Sequence, residues 1–269
     1  MTKEQERARA HRRQEKLDAR ATQRERDTAR NRQVAVVVAA VLVVVVAFVV
    51  LASKLGGDST PAATPSASNT PGASSAAVAG CEPPPAAPTA IKTQGMPDKA
   101  TAAGKTFTAV MTTNCGDISL ELDGAKAPQT VASFVALAKS SYFNGAPCHR
   151  LTTQGIFVVQ CGDPLGGTGT GPGYTYGIEN PPSDGAYPKG TLAMARTSDP
   201  SSNADQFFVV YQDSQLPTEG GGYSIFGTVT GGMDIVEKIA AAGVSGGATD
   251  GAPAAPISIL KVAVTEKKA

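Results

Sequence analysis

The sequence has no tryptophan among its 269 residues, only two histidines and four cysteines, and no excess of basic charge in the part that can fold. Each shortage removes a class of chemistry. One histidine, His11, lies in a basic N-terminal stretch, so the chain from Lys105 onward carries His149 alone. A single histidine, with no nucleophile–base or carboxylate constellation around it in sequence, argues against a Ser-His-Asp hydrolase. The cysteines, at 81, 115, 148 and 161, never take the C-x2-C spacing of a zinc site, and no metal or other cofactor is implied. From Lys105 onward ten Lys/Arg face fourteen Asp/Glu, so no basic stripe is on offer to a nucleic-acid backbone.

What is there comes in four unlike pieces. Residues 1–33 hold eleven Lys/Arg against six Asp/Glu and almost no large apolar side chain, too little to offset the entropy of ordering, so this piece is expected to be a disordered or partly helical tail. Residues 34–52 (VAVVVAAVLVVVVAFVVLA) are nineteen in a row without a charged or polar side chain, close to the roughly 20 that cross a bilayer as a helix. A cleaved signal peptide fits less well, because the apolar run follows 33 residues, is long, and ends without a small-residue cleavage pattern. The positive-inside rule places the +5 tail in the cytoplasm and the remainder outside, giving a single-pass cell-membrane protein. Residues 53–104, rich in Ala, Pro, Ser, Thr and Gly, show no periodicity and are expected to be a linker, part flexible and part polyproline-like, with an end-to-end reach of roughly 40 Å. Within it Val78-Ala79-Gly80-Cys81 resembles a lipobox, but it lies too far past the apolar run to act as one.

The foldable piece spans 105–266. Alternating and continuous apolar runs predict strands near 106–113, 117–122, 147–152, 156–161, 190–197, 206–211, 225–230 and 256–265. Helices are predicted from Pro128, with Val131, Phe134, Val135 and Ala138 on one face, and near Met233–Ala241, carrying Ile235, Val236 and Ile239. Eight strands and two helices make this a mainly β chain, an antiparallel barrel or sandwich with helical caps. Four cysteines outside the cytoplasm permit two disulfides among three pairings. A hairpin turning near Gln154-Gly155 would bring Cys148 opposite Cys161, which makes that pair the first choice and leaves Cys81 for Cys115.

Particular residues narrow this further. Cys148-His149-Arg150 followed by Phe157-Val158-Val159-Gln160-Cys161-Gly162-Asp163-Pro164 resembles the FHR…FxxQGGDP signature of cyclophilins. Gly190 to Ser198 with Gln206-Phe207-Phe208 is similar to the family's GxLSMAR/N…SQFF segment, and Phe226-Gly227-Thr228-Val229 with Gly232-Met233 to its VFGKV…GM segment. Ala127 to Phe134 is similar to its helix start. Four motifs in order over about 160 residues make the resemblance specific, and the anchored, linker-borne layout resembles membrane cyclophilins of actinobacteria.

The resemblance implies an eight-stranded cyclophilin-like barrel and a peptidyl-prolyl cis/trans isomerase acting on proline-containing polypeptides, aiding the folding of secreted or envelope proteins. It implies that Arg150 is the donor to the twisted amide, with Gln160 and Phe157 beside it in the catalytic set. Phe157, Val158, Phe208 and Leu216 would line the proline pocket. Gln160 and Gln206 would bind substrate backbone or orient Arg150, Ala195 would supply backbone contact, and Tyr223 would replace the usual pocket histidine. Gln215 stands where many members have tryptophan, so cyclosporin binding should be weak. The run from Gly166 to Gly173 lacks the Gly-Lys-Ser/Thr end of a phosphate loop and is expected to form a rim of the peptide groove. His149 is expected to be structural, donating a hydrogen bond within the barrel, and the protein to be a monomer. A binding module without turnover is the second reading, disfavoured because a binder has no use for a transition-state donor.

Overall fold

In this computed structural model, which describes residues 78–268, the chain begins its first regular hairpin with β1 (Thr106–Thr113) and β2 (Gly116–Asp123). The expected tail, transmembrane helix and first half of the linker lie outside those residues; within them, no helix is long and apolar enough to cross a membrane. The hairpin follows from strict alternation: Phe107, Ala109 and Met111 of β1 and Ile118, Leu120 and Leu122 of β2 all point to one buried side. At the turn, Thr113 Oγ1 accepts the Cys115 N–H at 3.1 Å and donates to the Gly116 carbonyl at 2.7 Å.

The remaining strands are β3 (Ala146–Pro147), β4 (Arg150–Thr152), β5 (Val158–Cys161), β6 (Ala186–Tyr187), β7 (Thr191–Met194), β8 (Phe207–Val210), β9 (Ser214–Gln215), β10 (Ile225–Gly231), β11 (Asp250–Gly251) and β12 (Ser258–Glu266). Seven of the eight expected strands are present and the eighth is split in two, and the barrel is not a plain eight-stranded one. Ten strands form one antiparallel sheet in the order β11-β4-β5-β8-β7-β10-β2-β1-β12-β3, and β6 pairs with β9 in a separate ribbon. The sheet curls: β3 lies at one end and β4 next to the other, and only Cys148 and His149 separate them in sequence. The chain itself brings the ends together, without a closing ladder. The strand expected at 147–152 is accordingly broken. Pro147 has no N–H to give, and the Cys148 N–H goes to the Ile257 carbonyl at 2.9 Å, away from the β4–β5 ladder.

Helix α1 (Pro128–Lys139) starts with proline in its first turn, and its orphan N–H groups are capped from a distance. Ala127 has no side chain to cap with, so the Glu179 carboxylate accepts from the N–H groups of Gln129 and Thr130, at 3.0 and 2.8 Å, and from Thr130 Oγ1. The helix buries its expected face, and Phe134 stacks against Phe143, Phe207 and Phe226 at 5.2–5.5 Å between ring centres. Helix α2 (Met233–Ala241) buries Val236 and Ile239; Ile235 is only half-buried.

From Val78 on, the stretch expected to be a linker is described. This segment has almost no regular structure, yet it is laid against the domain. Cys81 bonds Cys115, the Glu82 and Asn114 backbones meet at 2.8 Å, Asn114 Nδ2 donates back to the Glu82 carbonyl, and Ile91 packs on the core. Asp98 caps a short 3-10 turn at Lys99–Thr101, and Ala102 behind it is buried. Sparse anchors along a Pro/Ala chain have no period to read, which is why composition alone points to a linker. Cys81, being in a disulfide, is not a lipid attachment site. The second disulfide joins Cys148 to Cys161, so both pairings are those expected.

Candidate active site

Strand period 2 sorts the side chains of β5, β7 and β8 onto two faces. Val159, Cys161, Leu192, Met194, Phe207 and Val209 point into the main core. Val158, Ala193, Phe208 and Val210 point the other way and, with Tyr187 and Leu216, form a second buried apolar cluster on the outer face of the sheet. Ile156, Ala195, Tyr223 and Ile225 pack on it. Leu216 is held there because its N–H donates to the Gly185 carbonyl at 2.9 Å. Gly185, at φ +71°, has to be glycine: a Cβ would lie 2.5 Å from the Leu216 carbonyl oxygen. Tyr223 is locked to Tyr187 by reciprocal bonds, the Tyr223 N–H donating to Tyr187 Oη at 2.8 Å and that hydroxyl donating to the Tyr223 carbonyl at 2.9 Å. The Tyr223 ring meets Phe208 edge-on at 5.8 Å, with the Arg196 guanidinium 4.9 Å from its centre.

Beside this apolar wall runs a polar chain. Arg150 and Gln160 are direct partners across β4–β5, and Gln160 lies opposite Phe208 across β5–β8. Arg150 Nη1 donates to Gln160 Oε1 at 3.2 Å, and Gln160 Nε2 donates to Gln206 Oε1 at 2.7 Å. Gln206 Nε2 in turn reaches the carboxylate of Asp163 at 3.4 Å. Asp163, fully buried, also accepts from the N–H groups of Leu165 and Gly169 and from Thr168 Oγ1, which ties down the glycine-rich loop. On its other side Arg150 donates through Nε and Nη2 to both oxygens of Asp250, each at 2.7 Å. That bidentate bond raises the pKa of Arg150 and lowers that of Asp250.

A cavity of about 580 Å³ opens next to the chain, lined by Gln160, Gln206, Ala195, Arg196 and the glycines of the 167–173 loop, which makes that loop a rim as expected. Asp205 forms part of its floor. Burial, with a smaller push from nearby Asp163, drives the Asp205 carboxyl up to about 6, although Tyr142 Oη donates to it at 2.7 Å. The Tyr142 hydroxyl is pushed up as well, chiefly by burial.

Most expected site residues converge here. Arg150, Gln160 and Gln206 form the polar chain; Val158, Phe208, Leu216, Tyr223 and Ala195 form the apolar wall. The Ala195 N–H is already spent on the Gln206 carbonyl at 2.9 Å. Phe157 does not converge. Its ring meets Tyr211 edge-on at 5.9 Å, beside Thr153, Lys189 and Glu237, and Ile156 takes the position against the apolar wall. Val158 and Gln160 point outward from β5, and Ile156 shares their phase, so alternation along the pleated chain sends Phe157 to the other side. His149 is half-buried, with its Nδ1 lacking a hydrogen-bond partner among the described residues, and burial lowers its pKa. Gln215 is exposed on β9, donating to the Asp184 carbonyl. Sequence reasoning missed Asp250, Asp205 and Arg196. Asp250, in a Gly/Ala-rich stretch a hundred residues from Arg150, carries no local signal.

Comparison with known proteins bears on the same region. A profile of the family described as cyclophilin type peptidyl-prolyl cis-trans isomerase/CLD matches residues 108–264. A probable peptidyl-prolyl cis-trans isomerase B of Mycobacterium tuberculosis is 42% identical over 200 residues, covering 68% of this chain and 63% of the relative. The Mycobacterium leprae protein of that name is 45% identical over 199 residues, covering 66% and 64%. This chain thus spans a little under two thirds of the length of either mycobacterial relative. Among solved structures, a cyclophilin type peptidyl-prolyl cis-trans isomerase of Cryptosporidium parvum, crystallised in the presence of the dipeptide Ala-Pro, matches with a TM-score of 0.50 at 28% identity. The match covers 59% of this chain and 98% of that one.

Proposed function

Because the chain belongs to the cyclophilin-type peptidyl-prolyl cis-trans isomerase family, we propose that its site rotates X–Pro peptide bonds in polypeptides still folding. The barrier to that rotation, near 18–20 kcal/mol, comes from conjugation of the nitrogen lone pair with the carbonyl, and only X–Pro bonds populate cis appreciably. Catalysis requires a place for the proline ring and a donor aimed at the amide once it twists and the lone pair localises on nitrogen. The apolar wall of Val158, Phe208, Leu216, Tyr223 and Ile156 supplies the first. Arg150 supplies the second, its guanidinium permanently charged and held by Gln160 at the edge of that wall. A donor fixed before the charge develops stabilises the transition state more than the ground state. No bond is made or broken, so neither nucleophile nor base is needed.

The observation that carries the reading is this juxtaposition of Arg150, held by Gln160, with a buried apolar cluster on the outer face of the sheet. Exchange between cis and trans forms of a short proline peptide, measured by NMR with the full chain in detergent, tests it. The wild type should accelerate exchange, and Arg150→Ala should lose two orders of magnitude of kcat/KM with unchanged circular dichroism. An inactive wild type that still binds the peptide would leave only a binding module. With Gln215 in the position of the tryptophan, cyclosporin should inhibit weakly.

The chain is further proposed to be anchored by residues 34–52 with its isomerase domain outside the cytoplasm. The nineteen-residue apolar run, the +5 charge before it, and two disulfides in the domain support that placement. Clients would then be secreted or envelope proteins, whose folding X–Pro isomerisation can limit.

A further inference from the structure

Arg150 is held from both sides of its strand. β4 lies between β5, which carries Gln160, and β11, which carries Asp250. Asp250 pairs with Thr152 across β11–β4, so Asp250, Thr152 and Arg150 share one face, with Asp250 diagonal to Arg150. The loop before it is fixed too: the Thr153 N–H donates to the Thr249 carbonyl at 2.9 Å. The carboxylate takes Nε and Nη2 at 2.7 Å each, and Gln160 takes one Nη1 hydrogen. Of the five guanidinium N–H groups, two remain free, and the plane of the fork is set by three bonds to two different strands.

We propose that Asp250 is the positioning residue of the isomerase, clamping the Arg150 guanidinium so that its free N–H groups point at the twisted amide. This rests on the reading of Arg150 given above. A lone arginine side chain carries much rotamer freedom, and a single 3.2 Å bond to Gln160 leaves the group able to swing about that contact. The bidentate carboxylate removes that freedom before substrate arrives, so its benefit is realised at the transition state and not in binding of the ground state. The pair is well exposed, 39% and 51% of the two side chains, so it adds little to folding and its removal leaves the barrel intact.

The test compares Asp250→Ala, Asp250→Asn, Arg150→Ala and the double variant Arg150→Ala/Asp250→Ala, each as the full chain in detergent, for kcat, KM and thermal unfolding. Asp250→Ala should lower kcat about tenfold with KM within twofold and the unfolding midpoint unmoved. Asp250→Asn, which keeps one acceptor, should fall between it and the wild type. On the Arg150→Ala background, removing Asp250 should change nothing further. Unchanged or increased kcat in Asp250→Ala overturns the proposal, as does a further tenfold loss in the double variant, which would mean that Asp250 acts on its own. If Arg150→Ala itself turns over like the wild type, the reading of the site falls and this inference with it. An inactive Arg150→Ala beside a fully active Asp250→Ala sinks the clamp alone.

Discussion

Gln160 sits directly opposite Arg150 across the β4–β5 ladder and accepts its Nη1–H at 3.2 Å, while its own Nε2 donates to Gln206. The amide is therefore read in one orientation, oxygen toward the cation. Gln206 cannot readily turn over in compensation, because its nitrogen already faces the buried Asp163 carboxylate. Removing Gln160 frees one N–H of Arg150 and loses a charged hydrogen bond worth about 1.5–3 kcal/mol. With each 1.36 kcal/mol equal to tenfold in rate, Gln160→Ala should lower kcat/KM by about tenfold to a hundredfold. A variant at wild-type rate would show that the bond to Gln160 does not position Arg150.

Ile156 and Phe157 point to opposite sides, which yields a prediction contrary to the motif. Phe157→Ala removes an aromatic contact with Tyr211 away from the apolar cluster, so it should cost about 1–2 kcal/mol of stability for a half-buried ring while KM stays put. Ile156→Ala should raise KM severalfold with a smaller loss of stability. Chemical denaturation and steady-state kinetics on the two variants separate these outcomes; a raised KM in Phe157→Ala alone would restore the motif assignment.

The reason for that difference also marks how far the residues could be read without coordinates. β1, β2, α1 and α2 were legible because their burial follows a simple period and their ends carry Pro128 or Gly116. Arg150, Gln160, Gln206 and Phe208 were legible because the motifs place them. Phe157 was not: the motif names it, yet it stands three residues before Gln160, and an odd separation along a pleated chain puts two side chains on opposite faces. The segment from Val78 to Gly104 hid its attachment because it docks through a disulfide and scattered backbone bonds instead of a repeating apolar face. Asp250 reaches Arg150 only through the β11–β4 pairing, a long-range contact that no local pattern announces.

Asp205 gives a pH dependence whose sign can be stated. Its carboxyl stands at about 6 in the folded chain, above the ordinary 3.8, because burial and Asp163 disfavour the charged form. A raised folded-state pKa means that this group's contribution is fully present below pH about 4 and is lost as pH rises through about 6. The loss is on the order of 2–3 kcal/mol for a shift of about two units. Asp205→Asn keeps an acceptor for the Tyr142 hydroxyl but cannot ionise. Urea unfolding at a series of pH values should show the variant gaining on the wild type between pH 4 and 7, and equal slopes in that window would refute the assignment.

The two disulfides should separate stability from activity in opposite order. Cys81–Cys115 closes a loop of 34 residues and Cys148–Cys161 one of 13, so unfolded-state entropy assigns about 4 and about 3 kcal/mol to them respectively. Their places in the fold reverse that order for catalysis. Cys148 is two residues before Arg150, and Cys161 directly follows Gln160, so the shorter bridge holds the two strands that carry the donor and its partner. The longer bridge holds the segment before the domain to the β1–β2 turn, on strands that carry none of the site. Replacing both cysteines of the longer bridge by alanine should therefore lower stability more yet leave kcat/KM within twofold. The same replacement in the shorter bridge should lower stability less and kcat/KM at least fivefold, at a temperature where both variants are folded by circular dichroism. An equal loss of activity in both variants would mean that the bridges act only through global stability, and that Arg150 and Gln160 keep their geometry by the β4–β5 pairing alone.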